Sequence, residues 1–382
     1  MYQSDTLKCA ASLWDKQYLF ACRAICPKPQ SNLAVLAPYR PRSLRDADQC
    51  IQRLVDGPLP QFRNMTEARI VRDPAHGPET LGWVWAALAV MQRIGTKVEV
   101  PTSPVSRRAL RSNRRQVARP GYKDWGEVSA DDSSSDAPSS SPSSRGSRSG
   151  DHYVARISEP PLEDITVRFA GCFLRCLATY GQEIDNKHAS VFRDARLTYS
   201  FPTGTGTSQI KAIDDGGLEV FNGKIRLQVA VLECKRAFKL FPDEGKPTVP
   251  DTTLAQLVGQ AVAQRRTSEP RSIAIHDSIS ILAVGHHLKL FHFESTREYI
   301  NEYERPAPVA HFLKVNSTKW LDLTTKEDRR TAVKHILGMM KWADAVLDRR
   351  TGVGNFPRSS GSLAQVDEEG EEDDDEDDQN QA

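Results

Sequence analysis

The chain has 382 residues, 39% of them hydrophobic, with 51 Lys+Arg against 50 Asp+Glu and a formal net charge of +1. That length suits one large domain or two ordinary ones with tails. No apolar run approaches the ~18–20 residues that span a bilayer, and the start, MYQSDTLKCAASLW, lacks a basic stretch followed by an apolar segment, so neither a membrane span nor a secretory leader is expected.

The near-neutral charge hides a division. Residues 367–382, DEEGEEDDDEDDQNQA, carry eleven acids and no base, which leaves 39 acids against 51 bases elsewhere. A basic body of that kind suits a polyanion partner. The acidic run reads as a solvated tail. With seven cysteines and no leader, the expected setting is intracellular with reduced thiols. Cys22 and Cys26, like Cys172 and Cys176, are four apart rather than at the C-x2-C spacing of a zinc knuckle. Cys172 and Cys176 read as small core residues.

Residues 1–100 alternate short apolar pieces with Pro and Arg. Within them ETLGWVWAALAVMQRIG (79–95) predicts one buried helix ending at Gly95. No chemistry attaches to this region. Residues 101–150 are Arg-rich at 104–120 and Ser/Pro/Gly-rich at 129–150. They form a predicted disordered linker, because such a composition cannot bury enough apolar surface to fold. Its Arg cluster is a nuclear address, a phosphate-binding arm or a plain solvated linker.

From 151 to 350 the texture is that of a folded domain. LEDITVRFAGCFLRCLATYGQEI (162–184) has helical spacing. ARLTYSF (195–201), QIKAIDDGGLEVF (209–221) and KIRLQVAVLECK (224–235) read as strands, the last two joined at Asn222-Gly223, a two-residue hairpin signal. TLAQLVGQAVAQ (253–264) predicts a helix, SIAIHDSISILAVGHHLKLFHF (272–293) two or three strands, and KEDRRTAVKHILGMMKWADAVL (326–347) a closing helix. This order gives a mixed α/β domain around a small central sheet. Residues 351–382 are the predicted disordered acidic tail.

The chemistry gathers at the end of LQVAVLECK. Residues two apart on a strand share a face, so Glu233 and Lys235 point the same way. A two-residue turn at Asn222-Gly223 brings Asp214 one step from Glu233. A bulge at Gly216-Gly217 brings Asp215 there instead. Two carboxylates that close repel unless a cation lies between them. Hard oxygens with open positions suit Mg²⁺ or Mn²⁺, with the backbone carbonyl of Cys234 as a further ligand. Such a metal activates water on a phosphoryl centre, and a neighbouring Lys orients that water or offsets charge on the phosphate. The plain reading is a strand end with an exposed ion pair.

DDGGLEVF and VAVLECKRAF, followed by the helix with AQLVGQAVAQ, resemble the PD-(D/E)xK nuclease-like superfamily, most closely its divergent fungal nuclease-like domains. The resemblance covers roughly 160–347 and leaves out residues 1–150. It implies a restriction-endonuclease-like fold, a central mixed sheet flanked by helices. It implies Asp215 and Glu233 as metal ligands and Lys235 as the catalytic lysine, and it favours Asp215 over Asp214. The family's acid on the preceding helix matches Glu183 loosely, and its Gln on the following helix matches Gln256 or Gln260. A departure is Asp214 where the family has Pro. Many relatives of this type have non-catalytic roles.

His286-His287 reads as an exposed turn, His276 as a strand residue, and TGTGT (203–207) as a turn rather than a phosphate loop. Arg236, Lys239, Arg265 and Arg266 are candidate grips for backbone phosphates. The expectation is thus a metal-dependent nuclease acting on nucleic acid, DNA ahead of RNA. The alternative is an inactive nuclease-like module that binds nucleic acid or, through its tails, a protein partner.

Overall fold

The structure is a computed structural model. It describes residues 10–94, 163–202, 209–221, 223, 226–239, 247–267, 272–274, 276–303 and 310–351. The linker read over 101–150, the turn at 203–207 and the tail beyond 351 lie outside the described residues.

Among the described residues there are ten strands: β1 (Ala24–Ile25), β2 (Ala189–Arg193), β3 (Thr198–Pro202), β4 (Gln209–Ile213), β5 (Gly216–Phe221), β6 (Arg226–Lys235), β7 (Asp277–Val284), β8 (His287–Glu294), β9 (Leu313–Ser317) and β10 (Leu321–Asp322). The α-helices are α1 (Lys16–Ala21), α2 (Gln49–Asp56), α3 (Glu67–Arg72), α4 (Glu79–Ile94), α5 (Glu163–Tyr180), α6 (Asp251–Arg266), α7 (Arg297–Glu302) and α8 (Lys326–Thr351). Eight strands form one sheet in the order β1-β9-β8-β7-β6-β5-β2, with β10 also paired to β8, while β3 and β4 form a separate ribbon. The sheet is mixed: β6 runs parallel to β7 and antiparallel to β5.

β6 lies inside this sheet and is covered on both faces, which is why its sequence is a continuous apolar run rather than an alternating one. Leu232 and Cys234 face a core built with α2, α4, α5 and α8. Val231 faces a second core built with α6, the β3–β4 ribbon and Trp14. The molecule is therefore a mixed α/β protein with a large sheet flanked by helices, larger than the small sheet expected.

The core does not stop at residue 151. Ile51, Leu54, Trp85 and Leu88 are buried against α5 and α8. Trp14 is buried beside α6, where a Cβ at Gly259 would meet the Ala11 Cβ at 2.7 Å. β1 adds a strand beside β9. Residues 10–94 thus supply an edge of the sheet and part of both cores.

Two local readings are corrected. First, the β5–β6 ladder pairs Phe221 with Arg226, so the loop holds four residues, 222–225, and not two. Gly223, the described residue between the two strands, takes a positive φ of 84°. The bulge lies between Leu218 and Glu219, opposite Val229, and not at the glycines. Second, 209–221 is not one strand. It breaks at Asp214-Asp215, where Gly216 adopts φ 141° and carries the chain from the ribbon into the main sheet. A side chain at Gly217 would meet the Ala230 carbonyl oxygen at 2.4 Å. The two glycines are needed for close strand approach and for the change of sheet.

Among the described residues no helix is long and apolar enough to cross a membrane. Six described cysteines are free, with Cys176 fully buried and Cys172 partly so.

Candidate metal and phosphate site

Asp214 and Asp215 are sent to different places by the break between β4 and β5. Asp214 turns inward and is 1% exposed. Arg193 donates to both its oxygens at 3.1 and 2.7 Å, Tyr199 donates at 2.7 Å, and the Leu197 N–H at 2.9 Å. Gln228 Nε2 adds a contact at 3.3 Å. This carboxylate is saturated and structural.

Asp215 turns toward β6. The ladder pairs Gly216 with Leu232, so its next step sets Asp215 beside Glu233. The Cys234 N–H donates to Asp215 Oδ2 at 2.9 Å, and Arg196 Nη2 lies 3.1 Å from Oδ1. In an antiparallel pair a residue's N–H and C=O project to the same side. The Cys234 carbonyl therefore faces the Asp215 side as well.

Glu233 is 2% exposed and points to α6. Gln256 and Gln260, one helical turn apart, reach it from above: Gln256 Nε2 donates to Oε1 at 2.7 Å and Gln260 Nε2 to Oε2 at 2.5 Å. Lys235 Nζ donates to Oε1 at 2.5 Å. Gln260 also donates to the Ile213 carbonyl at 2.8 Å, so it ties the strand break to Glu233. Its Oε1 is buried with no hydrogen-bond partner among the described residues.

Burial pushes the Glu233 carboxyl up to about 7; Lys235 opposes the rise and Asp215 adds to it. Burial works against the Lys235 ammonium, but Glu233, Glu163 and Asp215 together hold its pKa above the usual value. The group is thus a knot of three acids and two bases, in which each charge is set by the others.

Glu163 is the member that sequence reasoning missed. It opens α5, and its carboxyl is raised by burial, lowered by Lys235 and raised by Asp215. An acid at a helix start reads as an ordinary partner for the helix dipole, so nothing in the sequence marked it. Glu183, the acid matched to this position, lies exposed beyond the far end of α5, an 18-residue helix about 27 Å long.

The other candidates fall elsewhere. Arg236 and Lys239 are exposed just past β6. Arg265 and Arg266 close α6, and Arg266 lies over the Phe201 and Tyr303 rings. His276 is exposed immediately before β7. His286-His287 is not an exposed turn: Gly285 and His286 make the turn, and His287 is the first residue of β8 and 3% exposed. It is buried because Phe238 packs on its ring at 5.0 Å. His286, His287 and Asp322 form a group with the donor atoms and spacing to hold a metal ion.

No family model, curated protein or solved structure matches this chain.

Proposed function

We propose that the chain is a metal-dependent phosphodiesterase of nucleic acid, with DNA ahead of RNA as substrate. The observation that carries this reading is the meeting of Asp215 and Glu233 across the ends of β5 and β6, with Lys235 on the Glu233 side. It takes up the resemblance of DDGGL and ECKRAF to PD-(D/E)xK nucleases. It also takes the fold to be restriction-endonuclease-like, supported by β6 between antiparallel β5 and parallel β7 under α6.

The donor set fits a hard divalent cation. Asp215, Glu233 and the Cys234 carbonyl are all oxygens, the kind Mg²⁺ and Mn²⁺ accept. Bound there, either ion would polarise a phosphoryl oxygen and lower the pKa of a water. The protein's own groups do the rest. Gln256 and Gln260 fix the plane of the Glu233 carboxylate. Lys235, 24% exposed at its side chain, can turn from Glu233 toward a phosphate oxygen or the attacking water. Arg196, 58% exposed, can leave Asp215 and grip a phosphate.

An open cleft lined by Arg42, Arg45, Arg330 and Lys334, with Asp46 and Asp56, supports the polyanion half of the reading. The Arg-rich segment 104–120 extends the proposal to an intracellular, nuclear setting.

A second reading has its own observation. Arg196 and Lys235 already pair with Asp215 and Glu233, so these two carboxylates have cationic partners without a metal, as suits an inactive nucleic-acid-binding module. Cleavage assays of the full chain on DNA and RNA panels with Mg²⁺ or Mn²⁺ separate the two. Metal-dependent cleavage lost in Lys235→Ala supports the enzyme. Binding without cleavage, unchanged by Glu233→Gln, supports the module.

A further inference from the structure

A second group of chemically able side chains lies on the same sheet face and takes no part in the site above. The register runs Lys235 to Val284 on β7, Val284 to His287 on β8, and His287 to Asp322 on β10. Directly paired residues share a face, so His287 and Asp322 lie on the face that carries Glu233 and Lys235. Two strand spacings separate Lys235 from His287, about 10 Å. That is too far for one shared two-metal cluster, whose ions lie ~3.5–4 Å apart.

His286 Nε2 lies 3.5 Å from Asp322 Oδ1, and His287 Nε2 lies 3.9 Å from Oδ2. All three ligand-type atoms fall within 4.8 Å of one another. These separations are longer than an N–H···O hydrogen bond, about 2.7–3.2 Å. They are close to the spacing around a tetrahedral ion: bonds of ~2.0–2.1 Å set neighbouring ligands about 3.4 Å apart. A contraction of under 1.5 Å in the widest pair completes that geometry, about the reach of a rotamer adjustment in a two-residue turn.

The setting is built for position. Asp322 Oδ1 is held by the Thr324 N–H at 2.8 Å and its hydroxyl at 2.7 Å. The Asp322 N–H donates to Asp328 Oδ2 at 2.8 Å, and the Leu323 N–H donates to the His286 carbonyl at 3.0 Å. Phe238 packs edge-on against the His287 ring. Carboxylate and imidazoles are thereby fixed from both sides of the pair of segments, as ligands need to be. His286, 28% exposed at its side chain, leaves one side of the group open to solvent.

We propose that His286, His287 and Asp322 bind one zinc-class divalent ion, with the remaining position open to water or a ligand. Two imidazoles and one carboxylate favour Zn²⁺ or Co²⁺ over Mg²⁺. The all-oxygen set at Asp215 and Glu233 has the opposite preference. One face of one sheet then carries two centres that sort metals by donor type.

The test uses the full chain, stripped with chelator and titrated with Zn²⁺ alone against a chromogenic competitor. Co²⁺ absorption in the visible gives an independent readout of tetrahedral binding. One equivalent is expected in the wild-type protein and in Glu233→Gln. His286→Ala, at a partly exposed turn position, should weaken binding by more than the ~10–100-fold that loss of an outer partner costs. Asp322→Asn should do the same with the fold kept by circular dichroism. Should Asp322→Asn unfold, His286→Ala alone decides. Zn²⁺ binding that is absent from the wild type, unaffected by His286→Ala, or lost in Glu233→Gln overturns the proposal.

Discussion

Arg193 holds Asp214 from inside the core through two hydrogen bonds, 3.1 and 2.7 Å long. Among the described residues the next acid, Asp215, pairs with Arg196 at the surface and accepts from the Cys234 N–H. Adjacent aspartates therefore have different surroundings, and their mutants should differ in stability. Asp214→Asn leaves the buried Arg193 guanidinium with Glu219 as its remaining acid, 2.9 Å away, and weakens the acceptor for Tyr199 and the Leu197 N–H; it should cost about 1–3 kcal/mol, the range for an undercompensated buried group. Asp215→Asn breaks a pair that is more than half exposed on the Arg side and should cost no more than about 1 kcal/mol. Urea unfolding of the two variants checks this; equal losses would mean that both acids are structural.

Lys235 is the cation nearest the buried Glu233. Lys235→Ala leaves that carboxylate with only the two glutamine donors. We expect a loss of about 1–3 kcal/mol near pH 8, read by denaturant unfolding, the cost of an undercompensated buried group. Lys235→Arg should recover part of that stability, because charge is restored. It should not recover cleavage, because a planar fork cannot replace a point donor.

His335 sets an acid limit on the fold. It is fully buried, its Nδ1 lies 2.8 Å from the Thr331 carbonyl, and burial lowers its pKa to about 4, with Arg40 adding to the effect. Between pH 6.5 and 4 the unfolded chain takes up a proton that the folded chain refuses. The contribution is complete above 6.5 and is lost as pH falls through 4, on the order of 3 kcal/mol in all. His335→Gln should therefore lose less stability than wild type over that window, measured by unfolding at a series of pH values. Parallel curves would remove His335 from the account.

Residues 10–94 belong to the folding unit, since β1 pairs with β9 and Trp14 is buried against α6. A chain starting at 151 should show no cooperative unfolding transition. Trp14→Ala should cost about 3–5 kcal/mol in the full chain. A cooperative transition in the shortened chain would show that the second half folds alone.

The strand LQVAVLECK and the helix 253–264 were legible because each has one dominant signal: an apolar run for a strand covered on both faces, and a helical period for α6. Glu233, Lys235, Gln256 and Gln260 follow from those two elements, and the structure brings all four together. Which aspartate joins them was not legible. It depends on a four-residue loop and a bulge at Val229, and each shifts the ladder without marking the sequence. Glu163 was hidden because Lys235 and Asp215, the site residues that act on it, are more than 50 residues away along the chain. His287 was hidden because Phe238, in the segment that follows β6, packs on its ring, a contact between parts of the chain about 50 residues apart. The N-terminal region looked chemically silent because its contribution is packing, which has no short motif.

The central claim is that Asp215 and Glu233 hold one hard divalent ion between β5 and β6. The most direct measurement is a Mn²⁺ titration of the full chain followed by the electron paramagnetic resonance of free Mn²⁺, with Zn²⁺ present to fill any imidazole site. The account predicts one bound Mn²⁺ per chain, lost in both Asp215→Asn and Glu233→Gln and retained in Lys235→Ala. Binding that survives both carboxylate variants, or no binding in the wild-type protein, would contradict it.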